Sequence, residues 1–588
     1  MNVPERDRRT VATPAQKQPT KTMTNLKAEP QTKSSPRVPS TVWLMAGILA
    51  GSLIAIGAFA LAMVVIGAGG PPEAMDPPLF VEEAAAAGID HQYDGEFTFF
   101  VGGGVAVFDC NQDQRPDLYF AGGTNPAALY SNESAVGGEL QFEHLMSPTT
   151  DLTSVTGAYP LDVDGDNLVD LAVLRLGENV MLRGLGECQF ERANEAWGID
   201  GGNEWTAAFS AQWEGSASLP TLAFGNYVAL SETGEQIGEC SDSYLFRPAE
   251  TARYDTPIQL APGWCTLSIL FSDWDRSGRR DLRMTNDRHY YRDGEEQLWR
   301  VVDGEAPRLY TEEDGWQKMS IWGMGIASYD LTGDGLPEVF LTSQGDNKLQ
   351  TLADGATQPN YVDIALDRGA NAHRPFTGED MVLPSTAWHA EFQDVNNDTF
   401  IDLFVAKGNV EAMPEFATAD PSNLLMGGPE GTFTEGAEAA EVVSFDRARG
   451  AALADFNLDG LLDLVEVNRR ENIDLWRNVG AGEPGQPVPM GGWIGLQLEQ
   501  PGPNLDAIGS WIEVKAGGQR MERELTIGGG HAGGQLGWTH FGLGTADSAE
   551  IRVQWPDGEK GPWMTVEANQ FVTIERGEPE AVPWLPQG

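Results

Sequence analysis

The strongest constraint on what this chain can fold into is a pattern of oxygen-bearing side chains that recurs six times. The segments FDCNQDQRPDLYF (108–120), LDVDGDNLVDLAV (161–173), SDWDRSGRRDLRM (272–284), YDLTGDGLPEVFL (329–341), QDVNNDTFIDLFV (393–405) and ADFNLDGLLDLVE (454–466) carry them at relative positions 1, 3, 5 and 9. The sets are Asp109, Asn111, Asp113, Asp117; Asp162, Asp164, Asp166, Asp170; Asp273, Asp275, Ser277, Asp281; Asp330, Thr332, Asp334, Glu338; Asp394, Asn396, Asp398, Asp402; and Asp455, Asn457, Asp459, Asp463. Ca²⁺ takes about 6 to 8 oxygens at roughly 2.3 to 2.6 Å. A tight loop with alternate side chains turned inward supplies three, a main-chain carbonyl adds one, and position 9 closes the shell. Mg²⁺, which demands near-ideal octahedral geometry and keeps its waters, suits such a loop less well. The expected cofactor is therefore Ca²⁺ at about six sites. Asp, Asn and Gly favour ordinary turns by themselves, but a turn does not require four oxygens at fixed offsets six times over.

The flanks decide what kind of loop this is. EF-hands need Gly at position 6, Glu at position 12 and helices on either side. Here position 6 is Gln114, Asn167 or Thr399 in three of the loops, and the flanks are short β-rich runs such as VAVF, LYFAG, VFLTS and LFVAK. Each unit continues with a third strand (ALYSN, NVMLR, QLWRV, NLLMG, DLWRN) and, in several, a fourth (QFEHL, CQFER, GTFTE). Four short strands per repeat describe a propeller blade.

The first ligands fall at 109, 162, 273, 330, 394 and 455, with a double-length gap after 162. A seventh unit, TAAFSAQWEGSASLPTLAFGNY (206–227), fits that gap but has lost its oxygens, with Trp213, Gly215, Ala217 and Thr221 at the ligand positions. Seven blades with six metal loops are expected over 79–480. The segment FVEEAAAAGID (80–90) matches the fourth-strand segment FERANEAWGID (190–200) yet precedes the first loop, whereas the last unit dissolves into GAGEPGQPVPMGG without a fourth strand. The strand near Phe80 is therefore expected to complete the last blade.

Charge narrows the partners. With 38 Lys+Arg against 87 Asp+Glu the net charge is −49, which disfavours nucleic acid and anionic lipid surfaces. Residues 1–41 form a basic, Pro/Thr/Gln-rich tail expected to be disordered and cytoplasmic. From Val42 to Ile66 the sequence has no charge, enough at about 1.5 Å per residue to cross a hydrocarbon core of about 30 Å. A transmembrane helix over 42–67 is expected, too long and too far from the start for a cleaved signal peptide. The positive-inside bias then makes the chain a single-pass membrane protein, with the bulk periplasmic or extracellular. Gly47 and Gly51 form a GxxxG within this span. Four cysteines, Cys110, Cys188, Cys240 and Cys265, allow three pairings. A staple between Cys240 and Cys265, across what reads as an irregular insertion, is the one expected.

Residues 491–577 lack acidic loops, and the runs WIEVKA, EIRVQW and FVTIE indicate a small β domain. GGGHAGG (528–534) contains a formal GxGxxG, but without a following helix it reads as a glycine-rich connection. There is no GxSxG, Walker-type loop or HExxH, and His531 and His540 are the one histidine pair close enough in sequence to suggest a catalytic or transition-metal site.

These residues carry a family likeness. AIGSWIEVKAGG (507–518), HFGLG (540–544), VQWPDG (553–558) and ANQFVTI (568–574) resemble the ASPIC/UnbV domain. The acidic repeats, with GGGVAVFD (102–109) and WGMGIASYD (322–330), resemble the FG-GAP/VCBS repeats of integrin α-chain propellers, and the order of the two is similar to the cartilage acidic protein 1 family. The resemblance implies a calcium-binding recognition, adhesion or scaffold module. The expected fold is all-β, a seven-bladed β-propeller plus a small C-terminal β domain, with an unknown protein or glycan as partner. The competing expectation is an enzyme acting on glycans with the propeller as its platform.

Overall fold

The computed structural model describes residues 74–586 apart from 232–235, 250–251, 288–293, 354, 356, 372–382 and 412. Among these residues the fold is all-β, with helix confined to single turns. No helix among them is long and apolar enough to cross a membrane. This corrects the expectation of a single-pass membrane protein: the segment 42–67 on which it rested lies outside the described residues, and no helix within them supplies a span.

The acidic repeats set the sheets. Each repeat is the turn of a hairpin: Val105–Phe108 pairs with Asp117–Phe120, Val155–Leu161 with Asp170–Gly177, and Ala448–Ala454 with Asp463–Asn468, all antiparallel. Third and fourth strands follow, so the first blade runs Val105–Phe108, Asp117–Phe120, Ala128–Asn132, Phe142–Leu145. Seven such units succeed one another, their inner strands beginning at Val105, Val155, Glu204, Thr266, Gly323, Ala387 and Ala448. Each inner strand lies against that of the next blade, and the seventh lies against the first. The ring thus closes sheet against sheet; no single sheet closes on itself. The second and third blades are also joined by hydrogen-bonded pairing of Glu204 and Trp205 with Gly177 and Leu176.

The last blade takes its fourth strand from the start of the propeller. Phe80–Glu82 pairs antiparallel with Asp474–Asn478, Phe80 is buried, and Arg477 grips both oxygens of Glu83 through Nε at 3.0 Å. The likeness of 80–90 to 190–200 extends to the turn after the strand, where Gly88 (φ 89°) and Gly198 (φ 77°) adopt the left-handed conformation glycine favours.

Both disulfides form, Cys110–Cys188 between the first and second blades and Cys240–Cys265. The segment between Cys240 and Cys265 is not an irregular insertion, however. It holds Ser243–Phe246 and Ile258–Leu260, the outer strands of the third blade; the true insertion is the hairpin Val228–Leu230 with Gln236–Cys240.

The C-terminal domain is two four-stranded sheets, one built on Gly492–Glu499 and the other on Trp511–Ala516, around a core that includes Ile494, Ile512, Phe541 and Ile551. Its glycine-rich connection leaves that domain and enters the propeller axis. Residues between Ile527 and Leu536 exchange backbone hydrogen bonds with the inner strands of the first five blades, through Val107, Ala158, Ala211, Ile269 and Ile326. His531 at its tip donates its backbone N–H to His389 Nδ1 of the sixth blade at 3.1 Å. The small residues are forced by this close approach: a Cβ on Gly104 or Gly157 would sit 1.8 Å from the Ala532 carbonyl oxygen, and one on Gly533 would sit 2.2 Å from that of Val105.

Removal of one aromatic at a ring seam should cost about 3 to 5 kcal/mol. Phe80→Ala should lower unfolding stability by about that amount in denaturant titration, and deletion of residues 79–90 should lower the melting temperature further; an unchanged transition in both would refute the closure. Gly533→Val should lower the calorimetric transition of propeller and C-terminal domain together, since the glycine serves both.

Candidate metal loops and their cover

The six acidic loops share one backbone. Position 4 (Gln112, Gly165, Arg276, Gly333, Asn397, Leu458) and position 6 (Gln114, Asn167, Gly278, Gly335, Thr399, Gly460) are left-handed in every one, with φ between 56° and 87°. Holding Thr399 or Leu458 there costs of the order of 1 kcal/mol each, so the surroundings must impose it.

The first aspartate does so. Asp109 accepts the N–H groups of Gln112 (2.7 Å) and Gln114 (2.7 Å), Asp162 and Asp330 repeat the arrangement, and Asp394 and Asp455 accept those of the fifth and sixth positions. The fifth-position carboxylate accepts the N–H two residues on, as Asp113, Asp166, Asp334, Asp398 and Asp459 do. The ninth position reaches further. Asp117 accepts from Cys110 in the loop (2.7 Å) and Asn132 on the third strand (2.8 Å), and Asp170, Asp402 and Asp463 do the same. Position 9 is thus first a pin between the loop and the third strand, both of its oxygens engaged by backbone. Glu338, one methylene longer, takes the N–H groups of Leu331 and Thr332 on one oxygen and the Thr351 hydroxyl on the other.

The third position varies. Asn111 accepts from the Asp113 N–H, Asn396 and Asn457 donate their amides to Asp398 and Asp459, and Thr332 donates its hydroxyl to Glu338. Asp162, Asp164 and Asp166 bring carboxylate oxygens within 4.8 Å of one another. The buried Oδ1 of Asp164, Oδ1 of Asp273 and Oδ1 of Asn457 have no hydrogen-bond partner.

Burial first, and crowding second, raises several of the acids. Burial pushes Asp162 up to about 6, Asp330 to about 7 and Asp170 to about 8, with neighbouring loop carboxylates adding to each. In the sixth and seventh blades, burial and then mutual repulsion hold Asp394 and Asp402, and Asp455 and Asp463, well above the carboxylate range. Internal cations relieve other loops. Arg183 reaches Asp164 and Asp166, each at 2.8 Å, and Arg115 reaches Asp113 at 3.2 Å.

The fourth blade goes furthest. Arg279 donates to both oxygens of Asp281 (2.9 and 3.0 Å), and the Trp274 indole (2.9 Å) and Tyr310 hydroxyl (2.8 Å) add to them. In the third blade, which lacks the oxygens, Glu214 is held by Arg247 (2.9 Å) and the Thr221 hydroxyl (2.8 Å). Guanidinium groups therefore neutralise acidic side chains in these two blades as well. The sequence signal was the run DRSGRRD, whose arginines lie inside the acidic motif of the fourth blade itself.

The C-terminal domain covers this face. Trp538 donates to the Gln114 carbonyl (3.1 Å), Gly544 N–H to the Asn397 carbonyl (2.8 Å), and His540 Nε2 meets Asn397 Oδ1 at 2.6 Å. Arg276 stacks over Trp511 at 3.8 Å and pairs with Glu522, and Glu524 accepts from Ser272 and the Asp273 N–H. His531 and His540 do not share a partner: the first faces the Met324 carbonyl and the Gly102 N–H, the second Asn397, and burial pushes both down to about 3.

Comparison with known proteins bears on the cover more than on the ring. Residues 500–581 match the ASPIC and UnbV family model, which includes the HFGLG and WPDG segments. No curated protein matches the chain in sequence. Among solved structures, BBS1N from a complex with ARL6DN overlaps with 11% identity, 70% of this chain, 100% of that chain and a TM-score of 0.39. A lectin of Agrocybe aegerita that recognises terminal N-acetylglucosamine overlaps with 13% identity, 62% of this chain, 88% of its own and a TM-score of 0.36. YCF48 from Cyanidioschyzon merolae overlaps with 9% identity, 64% of this chain, 96% of its own and a TM-score of 0.34. Overlaps this loose carry no argument, and the ring is read from its own strand pairing.

A proton-linked effect follows from the raised acids. An unfolded aspartate gives up its proton near pH 4, whereas the folded, metal-free loops hold theirs to about 6 (Asp162), 7 (Asp330) and 8 (Asp170). The folded state therefore binds more protons across this window. In chelator, stability should fall as pH rises from about 4 to about 8, measured by denaturant titration at each pH.

Proposed function

We propose that the chain is a calcium-stiffened recognition or scaffold module. The observation that carries this reading is the repeated loop backbone, left-handed at the same two positions six times, which gathers carboxylates that repel one another more strongly as they ionise. The nineteen carboxylates at the four loop positions suit a divalent cation, and the resemblance of the repeats to FG-GAP/VCBS propellers supports calcium as that ion. Asp109, Asp113, Asp162, Asp164, Asp166, Asp330, Asp334, Asp394, Asp398, Asp455 and Asp459 would be the principal acidic ligands, with Asn111, Thr332, Asn396 and Asn457 beside them. Asp117, Asp170, Glu338, Asp402 and Asp463 would act as pins that also face the ion. Asp273, Asp275, Ser277 and Asp281 would hold it least, because Arg279 already neutralises Asp281. Ring and cover together make a rigid platform for a protein or glycan ligand.

Calorimetry with excess Ca²⁺ and with chelator, beside a direct count of bound metal, tests this. The expected result is a large calcium-dependent rise in melting temperature and five ions rather than six. Asp398→Asn and Asp459→Asn should each remove an ion and part of the rise, while Asp275→Asn should leave the count unchanged. No bound metal and no shift would overturn the reading.

A further inference from the structure

The acidic face is covered and the axis is filled, so a partner must be met elsewhere. At the junction of the second and third blades, where the two sheets are hydrogen-bonded to each other, a cleft of about 200 Å³ opens at the start of the third blade's inner strand. That strand runs from Glu204 here to Gln212 at the loop beneath the cover, so the cleft lies at the end away from the C-terminal domain. Its floor is apolar, with Ile199, Phe224 and Phe246 buried and Tyr244 and Pro257 half-exposed. Its rim carries Asp200, exposed, and Glu204, half-exposed; Asp242 is close enough to Tyr244 to act on it electrostatically.

These carboxylates are held by neutral donors only. Glu204 accepts the Ser241 hydroxyl (2.6 Å), Asp200 the Gly202 N–H (3.0 Å), and Asp242 the Gly263 N–H (2.6 Å) and the Gln259 amide (2.5 Å). Among the described residues none of the three is in an ion pair. The arginines of the neighbouring segments are turned to other groups: Arg175 to the Thr153 and Glu178 carbonyls, Arg192 to the Glu178 carboxylate, and Arg253 to the Glu195 carbonyl.

We propose that this cleft binds a cationic side chain, lysine or arginine, presented by a basic segment of a partner protein. An apolar floor with a carboxylate rim matches a long side chain whose methylene stem is apolar and whose head is charged. The net charge of −49 draws basic partners and raises their rate of encounter. A neutral sugar would leave the unpaired rim charges without a counter-ion, and an acidic one would be repelled.

The inference rests on the reading of the chain as a recognition module, and the two can fail separately because none of the three carboxylates belongs to an acidic loop. The full chain, saturated with Ca²⁺ at about 0.15 M salt, is mixed with acetyl-Gly-Gly-Lys-Gly-Gly-amide. A carbodiimide then traps amine–carboxylate contacts, which are located by mass spectrometry. The expected cross-links concentrate on Asp200, Glu204 and Asp242 and fall at least fivefold in Asp200→Asn/Glu204→Gln, with the calcium-dependent melting shift retained. The control Glu312→Gln/Glu313→Gln, which removes equal charge from an exposed turn, should leave them unchanged. An arginine peptide that displaces the lysine peptide more strongly identifies arginine as the preferred head, and an acetyl-lysine peptide should not compete. Cross-links spread evenly over the acidic surface, an equal loss in the control, or occupation of the cleft by chitotetraose but not by the peptide would overturn the proposal. Loss of the calcium shift with the cross-links intact would instead overturn the metal reading alone.

Discussion

The structure depends on a carboxylate that bridges three pieces of backbone. In the first, second, sixth and seventh blades, the ninth-position aspartate joins the loop it closes to the third strand of its own sheet. Both oxygens of this buried carboxyl are taken by backbone N–H groups, and leaving either side unpaired would cost the full desolvation penalty. The same carboxylate that sits beside a candidate ion also sets the register of the sheet, so loop geometry and strand pairing cannot vary independently.

That coupling reaches the C-terminal domain. Its glycine-rich connection takes backbone hydrogen bonds from five inner strands, while its outer residues rest on loop carbonyls such as those of Gln114 and Asn397. A cover that reads loop backbone responds to anything that changes the loops. The fourth blade bears this out from the opposite direction: where arginines neutralise the motif, Arg276 and Arg280 become docking groups, against Trp511, Glu522 and the Gly509 carbonyl. This loop is tied to the cover by its own arginines.

Much of this was legible in the sequence, because a repeat fixes spacing and spacing fixes pairing. The hairpins around the acidic loops and third strands such as ALYSN and DLWRN are strands Ala128–Asn132 and Asp474–Asn478 as they stand, and the closing strand at Phe80 was marked by its likeness to 190–200. What stayed hidden depended on contacts remote in sequence. GGGHAGG has no amphipathic period, since its partners are backbone atoms of other blades, so its glycines read as a flexible connection. The outer strands between Cys240 and Cys265 were obscured by the loss of acidic residues in their blade. The pin role of position 9 was not separable from a ligand role, because the same atom type serves both.

The distribution of charge gives the last constraint. A ring with nineteen loop carboxylates on one face would ordinarily present that face to cations in solution, yet here a second domain lies across it and supplies Glu522 and Glu524 as further acids. Adding acids to an already acidic face is unfavourable unless positive charge is interposed. Arg276, Arg280 and Arg523 meet part of that need, Arg523 by donating to Gln393 and the Phe392 carbonyl beside the loop of the sixth blade. Even so, burial and mutual repulsion hold the acids of the sixth and seventh blades, Asp402 and Asp463 among them, well above the carboxylate range. Protonation and a divalent cation are alternative ways to remove the same repulsion, and near neutral pH only the cation removes it while leaving the oxygens free to act as ligands.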